Sequence, residues 1–160
     1  MAYDSNLGLD RGCHVMSRLL SGGVFMLKAI CNTPIQTLHR ASCHCGAVVL
    51  EIHLPTGLPA PHRCACSFCK RKGAIVSAVP ASDLKVIRGR AALHRYQFGR
   101  QVAEHFFCGI CGIYTHPRRS TNPNEFGFNI GCLEGVNPYD LGNVPVADGG
   151  QWEEPVDLHR

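Results

Sequence analysis

The stretch that decides the fold runs from residue 42 to residue 55 and reads Ser-Cys-His-Cys-Gly-Ala-Val-Val-Leu-Glu-Ile-His-Leu-Pro. Cys43 and Cys45 stand one residue apart at its start, a spacing that lets one tight turn aim two sulfurs at a metal ion. Apolar side chains then occupy every second position, at Val48, Leu50, Ile52 and Leu54. This alternation predicts a strand with one strongly apolar face, which ends at Pro55 because proline has no N–H to donate to a ladder.

Short apolar runs continue through the rest of the chain, with Gly, Pro and Asn residues between them. They predict strands at Ala74–Val79, Leu84–Arg88, Leu93–Phe98, Val102–Phe107, Ile113–His116 and Phe126–Ile130. None of the runs has the length and period of an ordinary helix, and Ser82 can cap only a short helical turn. We therefore predict a mainly β single domain with little helix.

The composition excludes several classes of protein. A chain of 160 residues with 45% hydrophobic and 18% charged residues is neither disordered nor a membrane protein, and it can bury one core without disulfide staples. Its formal net charge of +4 comes without the dense basic stripe of a nucleic-acid reader, so we predict no nucleic-acid partner. Two glycines and Lys28 interrupt the apolar run that follows Arg18, so we predict no signal peptide and no membrane span, and expect a cytoplasmic protein.

The chain divides into two parts that differ in their pattern of apolar residues and cysteines. Residues 1–35 show neither a helical stripe nor strand alternation, which predicts an N-terminal extension that is largely irregular or disordered. Residues 36–160 carry the strand pattern and the closely spaced cysteines, and predict the folded domain. Its tail beyond Asn137 is rich in Pro and Gly and is expected to be mostly irregular.

Seven of the 10 cysteines fall into three tight groups, which are Cys43 and Cys45, then Cys64, Cys66 and Cys69, then Cys108 and Cys111. In a reducing cytoplasm, clustered thiols are more often metal ligands than disulfides. Two pairs supply the four soft ligands of a structural zinc ion, which would tie the start of the domain to its far side. The triplet leaves one position free, which is the pattern of a catalytic zinc site.

Other interpretations of the cysteines stay open at this point. The pair Cys108 and Cys111 could be a redox couple, although it lies between strands and not at a helix start. The triplet could instead form a second structural site completed by one of four histidines, which are His44, His62, His105 and His116. Cys132 follows an apolar strand and is expected to be a buried small side chain.

Three motifs in this order resemble the family of glutathione-dependent formaldehyde-activating enzymes, also called the CENP-V/GFA domain. The resemblance covers about Ser42 to Val136. It rests on Cys43-His-Cys-Gly46 followed by a strand, on Cys64-Ala-Cys-Ser-Phe-Cys-Lys-Arg71, and on Phe107-Cys-Gly-Ile-Cys-Gly112. Many members carry a histidine between the first two cysteines of the triplet, where this chain has Ala65.

The resemblance implies a β-tent fold, in which small antiparallel sheets lean together around zinc. It implies two zinc ions, one structural and held by the two pairs, the other catalytic or exchangeable and held by Cys64, Cys66 and Cys69. It also implies a carbon–sulfur lyase whose substrates are glutathione, or a similar small thiol, and formaldehyde or a related small aldehyde. A three-thiolate zinc suits this chemistry because its formal charge of about −1 weakens its Lewis acidity and disfavours simple hydrolysis.

The basic run Lys70, Arg71 and Lys72 follows the triplet and could bind the carboxylates of a glutathione-like substrate. The other interpretation of this run, and of the pair Arg118 and Arg119, is an ordinary solvated surface. Glu104 and His105 could carry protons or be inert residues of a strand.

Two other functions compete with the lyase, and the oligomeric state stays open. One is a non-catalytic zinc-stabilised scaffold that binds a partner. The other is a zinc-bearing sulfoxide reductase, which would need Cys132 as its nucleophile.

Overall fold

Short strands account for most of the regular structure in the computed structural model, which describes residues 16–19 and 25–149. The strands are β1 (Met16–Leu19), β2 (Phe25–Ile30), β3 (Thr33–Pro34), β4 (Leu38–Ser42), β5 (Val49–His53), β6 (Leu58–Pro59), β7 (Arg63–Cys64), β8 (Val76–Pro80), β9 (Leu84–Arg88), β10 (Leu93–Tyr96), β11 (Glu104–Cys108), β12 (Tyr114–Arg118), β13 (Glu125–Asn129) and β14 (Val146–Ala147). The helices are α1 (Cys69–Lys72) and the 3-10 turns Ala81–Asp83, Arg90–Ala92, Ile130–Cys132 and Pro138–Leu141. The mainly β prediction with little helix is confirmed.

The described strands form four small sheets. One antiparallel sheet has the order β4-β5-β9, and a second has the order β10-β11-β12-β13-β8. In a third sheet, β2 pairs with β1, β3 and β6. The fourth is a short parallel pair of β7 and β14. All six strands predicted after residue 73 are present, Leu84–Arg88 with the predicted ends and the other five with shifted ends. In contrast, β3, β6, β7 and β14 were missed because two-residue strands carry no period of their own.

One cluster of buried side chains connects the three antiparallel sheets. The alternating residues of the first motif all face it, since Val48, Leu50, Ile52 and Leu54 are no more than 2% exposed. Phe128 of β13 is fully buried in the same cluster. The apolar alternation that predicted β5 therefore marks the core face of the sheet.

Part of the predicted N-terminal extension is regular structure, since β1, β2 and β3 all lie within residues 1–35. β2 pairs with β1 and β3, and Leu27 of β2 lies opposite Leu58 of β6. Leu27 and Ile30 belong to the core cluster. The sequence pattern missed β2 because its apolar residues do not alternate, and a pairing with β6 about 30 residues further on makes it a strand. The expectation for residues 1–15 and 20–24 lies outside the described residues.

The topology puts the two cysteine pairs in two hairpin turns that belong to different sheets. Cys43 and Cys45 lie in the turn between β4 and β5. Cys108 ends β11, and Cys111 lies in the turn that leads to β12. Over the described part of the chain, no helix is long and apolar enough to cross a membrane.

Candidate functional site

Four cysteine sulfurs from the two hairpin turns converge. The Sγ atoms of Cys43, Cys45, Cys108 and Cys111 all lie within 4.8 Å of one another. The Sγ of Cys45 is 3.6 Å from that of Cys43 and 3.7 Å from that of Cys108. Sulfurs about 2.3 Å from a tetrahedral zinc ion are about 3.8 Å apart. Both the spacing and the four soft donors therefore fit zinc.

Each of the two turns is closed by the backbone N–H of the glycine that follows its second cysteine. The N–H of Gly46 donates to the carbonyl of Cys43 at 2.9 Å, and the N–H of Gly112 donates to the carbonyl of Cys108 at 2.8 Å. Both glycines have a positive φ, of 72° and 74° respectively, in the region that favours glycine. Each turn thus reverses the chain tightly enough to leave two thiols on its inner side.

Amide hydrogen bonds prepare this cluster for a cation. The backbone N–H groups of Cys45 and Ile113 donate to the thiol of Cys111 and lower its pKa to about 6. The N–H of Val48 donates to the Sγ of Cys43 at 3.2 Å. Because the thiolate is the metal ligand, donors aimed at sulfur favour the form that binds.

The other three clustered thiols meet at the start of α1. Cys64 belongs to β7 and Cys69 is the first residue of α1, and their Sγ atoms lie with that of Cys66 within 4.8 Å of one another. Burial opposes ionisation of Cys66, yet hydrogen bonds from Cys69 and Cys64 lower its pKa overall. Burial raises the pKa of the Cys69 thiol to about 12. A soft cation would therefore find one favoured thiolate here and two partners in reach.

A cavity of about 590 Å³ opens onto this triplet. This volume lies within the range of about 300–1,000 Å³ that is usual for small-molecule sites. The wall contains the three thiols together with Lys72, Phe98, His105, Tyr114, Arg118 and Arg119. The triplet therefore faces a space of substrate size, whereas the four-cysteine cluster does not line this cavity.

None of the histidines or carboxylates in the described residues completes the triplet. The group of mutually close ligand atoms at this point contains three thiols and nothing else. His62 and His105 line the cavity without joining the group, and His44 lines a different cavity. His116 is buried against Thr115, with its Nδ1 2.9 Å from the Thr115 hydroxyl. For the described residues, the interpretation of a second site closed by a histidine is not supported.

Lys72 stands between the thiols and an aromatic wall. Its Nζ lies 3.4 Å from the centre of the Tyr114 ring and 5.4 Å from that of Phe68. Burial lowers the pKa of Lys72, and the neighbouring Cys69, which accepts its hydrogen bond, opposes that shift. The ammonium is thus held against the triplet, where it offsets negative charge.

His105 and Tyr114 meet in the same wall. The Nδ1 of His105 lies 3.2 Å from the Tyr114 hydroxyl. Burial, and then the charge of Lys72, lowers the pKa of His105 to about 4, and burial raises the pKa of Tyr114. At neutral pH the imidazole is therefore uncharged and the phenol is protonated.

The three basic residues after the triplet do not all face the same way on α1. Lys72 lines the cavity, whereas Lys70 and Arg71 are exposed and outside its wall. The guanidinium of Arg71 donates to the carbonyl of Ser67. Substrate binding by Lys70 and Arg71 stays a prediction.

Two arginines at the end of β12 line the cavity, although the sequence left them as possible surface residues. Arg118 lies 3.8 Å from a carboxylate oxygen of Glu104, and Arg119 lies 2.8 Å from one of Glu125. Their position in the sequence could have indicated this, because they end the strand β12, which leads from the turn of Cys111 towards the cavity.

The C-terminal part of the described chain passes directly over the triplet. β14 pairs with β7, and the N–H of Ala65 donates to the carbonyl of Ala147 at 3.0 Å. A Cβ atom on Gly149 would lie 2.7 Å from the Sγ of Cys64. Glycine is therefore needed at this position for the chain to approach the thiols so closely.

Cys132 does not line this cavity. It is 5% exposed, its Sγ lies 3.5 Å from the carbonyl of Tyr114, and burial raises its pKa to about 12. The expectation of a buried small side chain is confirmed. A thiol in this state is a poor nucleophile, which counts against the sulfoxide reductase interpretation.

A family model described as glutathione-dependent formaldehyde-activating enzyme matches residues 38–143, which include both hairpin turns and the triplet. The chain belongs to this family. The resemblance that the three cysteine motifs indicated is confirmed, over a span slightly longer than the residues that carried it.

Curated relatives include three fungal proteins whose names assign them provisionally to glutathione-dependent formaldehyde-activating enzymes. The protein of Phaeosphaeria nodorum is 29% identical over 117 residues, which are 71% of this chain and 55% of that protein. The protein of Penicillium rubens is 26% identical over 132 residues, 72% of this chain and 56% of that protein. This chain thus spans about half the length of the curated relatives it matches.

A crystal structure of a Rhodobacter sphaeroides protein is similar to this chain with a TM-score of 0.65 and 53% sequence identity. The similarity covers 68% of this chain and 99% of that one. Nearly the whole of that protein therefore corresponds to about two thirds of this chain.

Proposed function

We propose that this protein is a zinc-dependent carbon–sulfur lyase that forms or cleaves the adduct of glutathione, or a similar small thiol, with formaldehyde or a related small aldehyde. One observation carries this proposal: three thiols, with no fourth ligand among the described residues, line a cavity of about 590 Å³. A site with three protein ligands and one open position is the catalytic pattern of zinc. Membership of the family supports the choice of substrates.

Each cysteine cluster would hold one zinc ion. Cys43, Cys45, Cys108 and Cys111 would close a structural site. Zinc at Cys64, Cys66 and Cys69 would supply a cationic position that favours the ionised form of a substrate thiol. Three thiolates would leave that site formally anionic. Lys72 would offset this negative charge, so that an anionic substrate thiolate can approach.

Cations of the cavity wall would hold the carboxylates of the thiol substrate. Lys72, Arg118 and Arg119 all line the cavity. Each exposed contact of this kind contributes about 0.2–1 kcal/mol, so two or three together orient a flexible peptide without binding it tightly. Lys70 and Arg71 would act from the rim.

The overall reaction moves one proton from sulfur to oxygen. In adduct formation the thiol sulfur bonds to the aldehyde carbon, and the aldehyde oxygen is protonated; cleavage is the reverse. Phe68, Phe98 and Tyr114 pack beside the triplet and keep bulk water from the reacting atoms. We place this reaction in the cytoplasm, where reducing conditions keep clustered thiols available for zinc.

The test combines zinc content with catalysis. Zinc per chain is measured by plasma mass spectrometry on the wild type and on Cys66→Ser, and glutathione–formaldehyde exchange is followed by two-dimensional NMR. We expect about two zinc ions in the wild type and about one in Cys66→Ser, which folds but loses the acceleration of exchange. The matched control, Cys132→Ser, alters a buried thiol outside both clusters and keeps both properties.

Two results would count against the proposal. Acceleration that survives in Cys66→Ser would separate the chemistry from the triplet. Tightly held zinc at both clusters with no acceleration by the wild type would favour the non-catalytic scaffold.

A further inference from the structure

The pair His105 and Tyr114 has no part in holding either cysteine cluster, yet both side chains line the cavity of the triplet. They come from the neighbouring strands β11 and β12. His105 is 6% exposed, and its Nδ1 lies 3.2 Å from the Tyr114 hydroxyl. The cavity wall therefore contains an imidazole and a phenol within hydrogen-bond distance, and each of them can both donate and accept a proton.

Aromatic packing fixes this pair relative to the thiols. The ring centre of Phe68 lies 4.4 Å from that of His105. Phe68 stands between Cys66 and Cys69 in the sequence, so the imidazole packs against the same segment that contains the thiols of the triplet. Phe98 also stacks on His105, with 5.7 Å between the ring centres and an interplanar angle of 16°.

The environment disfavours a charged imidazole. Burial and the nearby ammonium of Lys72 lower the pKa of His105 to about 4. A neutral imidazole carries a proton on one nitrogen and accepts at the other. His105 can therefore pass a proton on when it accepts one at its opposite nitrogen, but it does not store one as an imidazolium.

We propose that Tyr114 and His105 form a proton relay that delivers a proton to the aldehyde oxygen, and removes it in the reverse direction, at the cavity of the triplet. This inference rests on the proposed lyase function. During adduct formation a sulfur lone pair forms the carbon–sulfur bond, and the carbonyl π pair moves onto oxygen. Tyr114 gives its hydroxyl proton to that oxygen, and Nδ1–H of His105 replaces it. The proton of the substrate thiol arrives at Nε2, so one proton leaves sulfur and one reaches oxygen. His105 is then left with its proton on Nε2, and proton exchange with water restores the Nδ1–H form before the next turnover.

The other candidate proton carrier from the sequence does not occupy this place. Glu104 precedes His105, but its carboxylate lies 2.7 Å from Arg95 and 3.8 Å from Arg118. It is not among the residues that line the cavity. Between the two residues that the sequence offered, the geometry selects His105, and it adds Tyr114, which the sequence did not indicate.

Two substitutions test the relay with little change in shape. Tyr114→Phe removes the hydroxyl and keeps the ring under Lys72, and His105→Gln removes the imidazole and keeps a polar side chain. Tyr96→Phe is the matched control, because Tyr96 also packs on Phe68, at 5.2 Å between ring centres, but does not line the cavity. Zinc content and glutathione affinity are measured on each variant, beside the kcat and KM of glutathione–formaldehyde exchange.

We expect Tyr114→Phe and His105→Gln to lose about 10²–10⁴ in kcat, the usual contribution of a positioned proton donor, with KM for glutathione and zinc content unchanged. Tyr96→Phe should match the wild type. Equal kcat in the wild type and Tyr114→Phe would overturn the relay while the lyase stands. A wild type that does not accelerate exchange would overturn the lyase and the relay together.

A second readout does not depend on turnover. Nitrogen-15 NMR of labelled histidine reports the protonation of each ring nitrogen. We expect His105 to be neutral at pH 7 with its proton on Nδ1, and expect its Nδ1 shift to change in Tyr114→Phe but not in Tyr96→Phe. An imidazolium at pH 7 would overturn the relay. So would a nitrogen-15 chemical shift of Nδ1 that is the same in Tyr114→Phe as in the wild type.

Discussion

The Sγ of Cys45 lies 3.7 Å from the Sγ of Cys108, although 63 residues separate them in the chain. Cys45 lies in the turn of the β4–β5 hairpin and Cys108 ends β11, so this contact joins two different sheets. A metal ion at this point would close a long loop, and because such a site does not exist in the unfolded chain, its binding free energy would add to folding.

Removal of one ligand from this cluster should destabilise the whole domain. We expect Cys108→Ser to lose about one zinc ion per chain and to unfold at lower denaturant concentration, by clearly more than the about 1 kcal/mol of an average substitution. Zinc analysis and urea unfolding measure the two effects. Cys132→Ser, a buried thiol outside the clusters, serves as the control, and equal stability of the two variants would contradict the structural role.

A side chain on Gly149 should disturb the triplet without unfolding the protein. A Cβ atom there would lie 2.5 Å from the Cβ of Cys66 and 2.7 Å from the Sγ of Cys64, so the chain or the thiol must move. We expect Gly149→Ala to weaken zinc binding at the triplet about 10- to 100-fold, as loss of a supporting contact does, while the melting temperature changes little. Competition with a chromogenic chelator measures the affinity.

The control for that substitution is Gly131→Ala. A Cβ at Gly131 would meet its nearest neighbour, the Asn129 Oδ1 atom, at 3.3 Å. Zinc affinity should stay at the wild-type value in this variant. Undiminished affinity in Gly149→Ala would show that the C-terminal segment does not support the triplet.

The arginines at the end of β12 should set the affinity for anionic thiols. We expect Arg118→Gln to raise KM for glutathione about two- to fivefold, which corresponds to the loss of about 0.4–1 kcal/mol. Glu104→Gln removes a carboxylate 3.8 Å from Arg118 and should shift KM in the opposite direction. Steady-state kinetics with glutathione and with its diester, in which both carboxylates are masked, distinguish charge from shape, because the diester has no carboxylate that Arg118 could bind and should not lose affinity in Arg118→Gln.

Arg71→Ala belongs in the same series, since the basic run was the sequence-based candidate for this contact. Arg71 is exposed and outside the cavity wall. We expect a smaller change in KM than for Arg118→Gln. A larger effect of Arg71→Ala would move the anion site from the cavity to its rim.

Stability should fall as the pH drops below neutrality. Burial, and then the charge of Arg90, lowers the pKa of His116 to about 4, well below the usual histidine value of about 6.5. Its folded-state pKa is depressed, so the unfolded chain binds the proton first as the pH falls, and the free energy of unfolding decreases between about pH 6.5 and pH 4. At still lower pH this residue adds no further loss.

The substitution His116→Gln isolates this contribution. His116 is 3% exposed and stacks on Phe106 with ring centres 4.6 Å apart. Guanidinium unfolding at pH 5 and pH 7 should show a stability difference about 2 kcal/mol smaller in the variant than in the wild type. The same difference in both proteins would contradict a buried neutral imidazole.

Local patterns in the sequence predicted much of the site. The thiols of the triplet lie within six consecutive residues, so the chain itself brings them together, and the residues of β5 alternate because one face is buried. The neutral relay pair could not be predicted in this way. His105 and Tyr114 meet because β11 pairs with β12 in one particular register, and side-chain contacts across strands depend on that register.

The sequence by itself determined the grouping of thiols that could hold metal ions, the number of thiols in each group, the family and the mainly β fold, because these depend on residue type and short spacing. The tertiary structure decided which cations face the cavity of the triplet. It turned Lys72 inward and left Arg71 outside, brought Arg118 to the cavity, and laid Gly149 against Cys64. Those relations depend on strand pairing and on the direction of each side chain, which no short stretch of sequence contains.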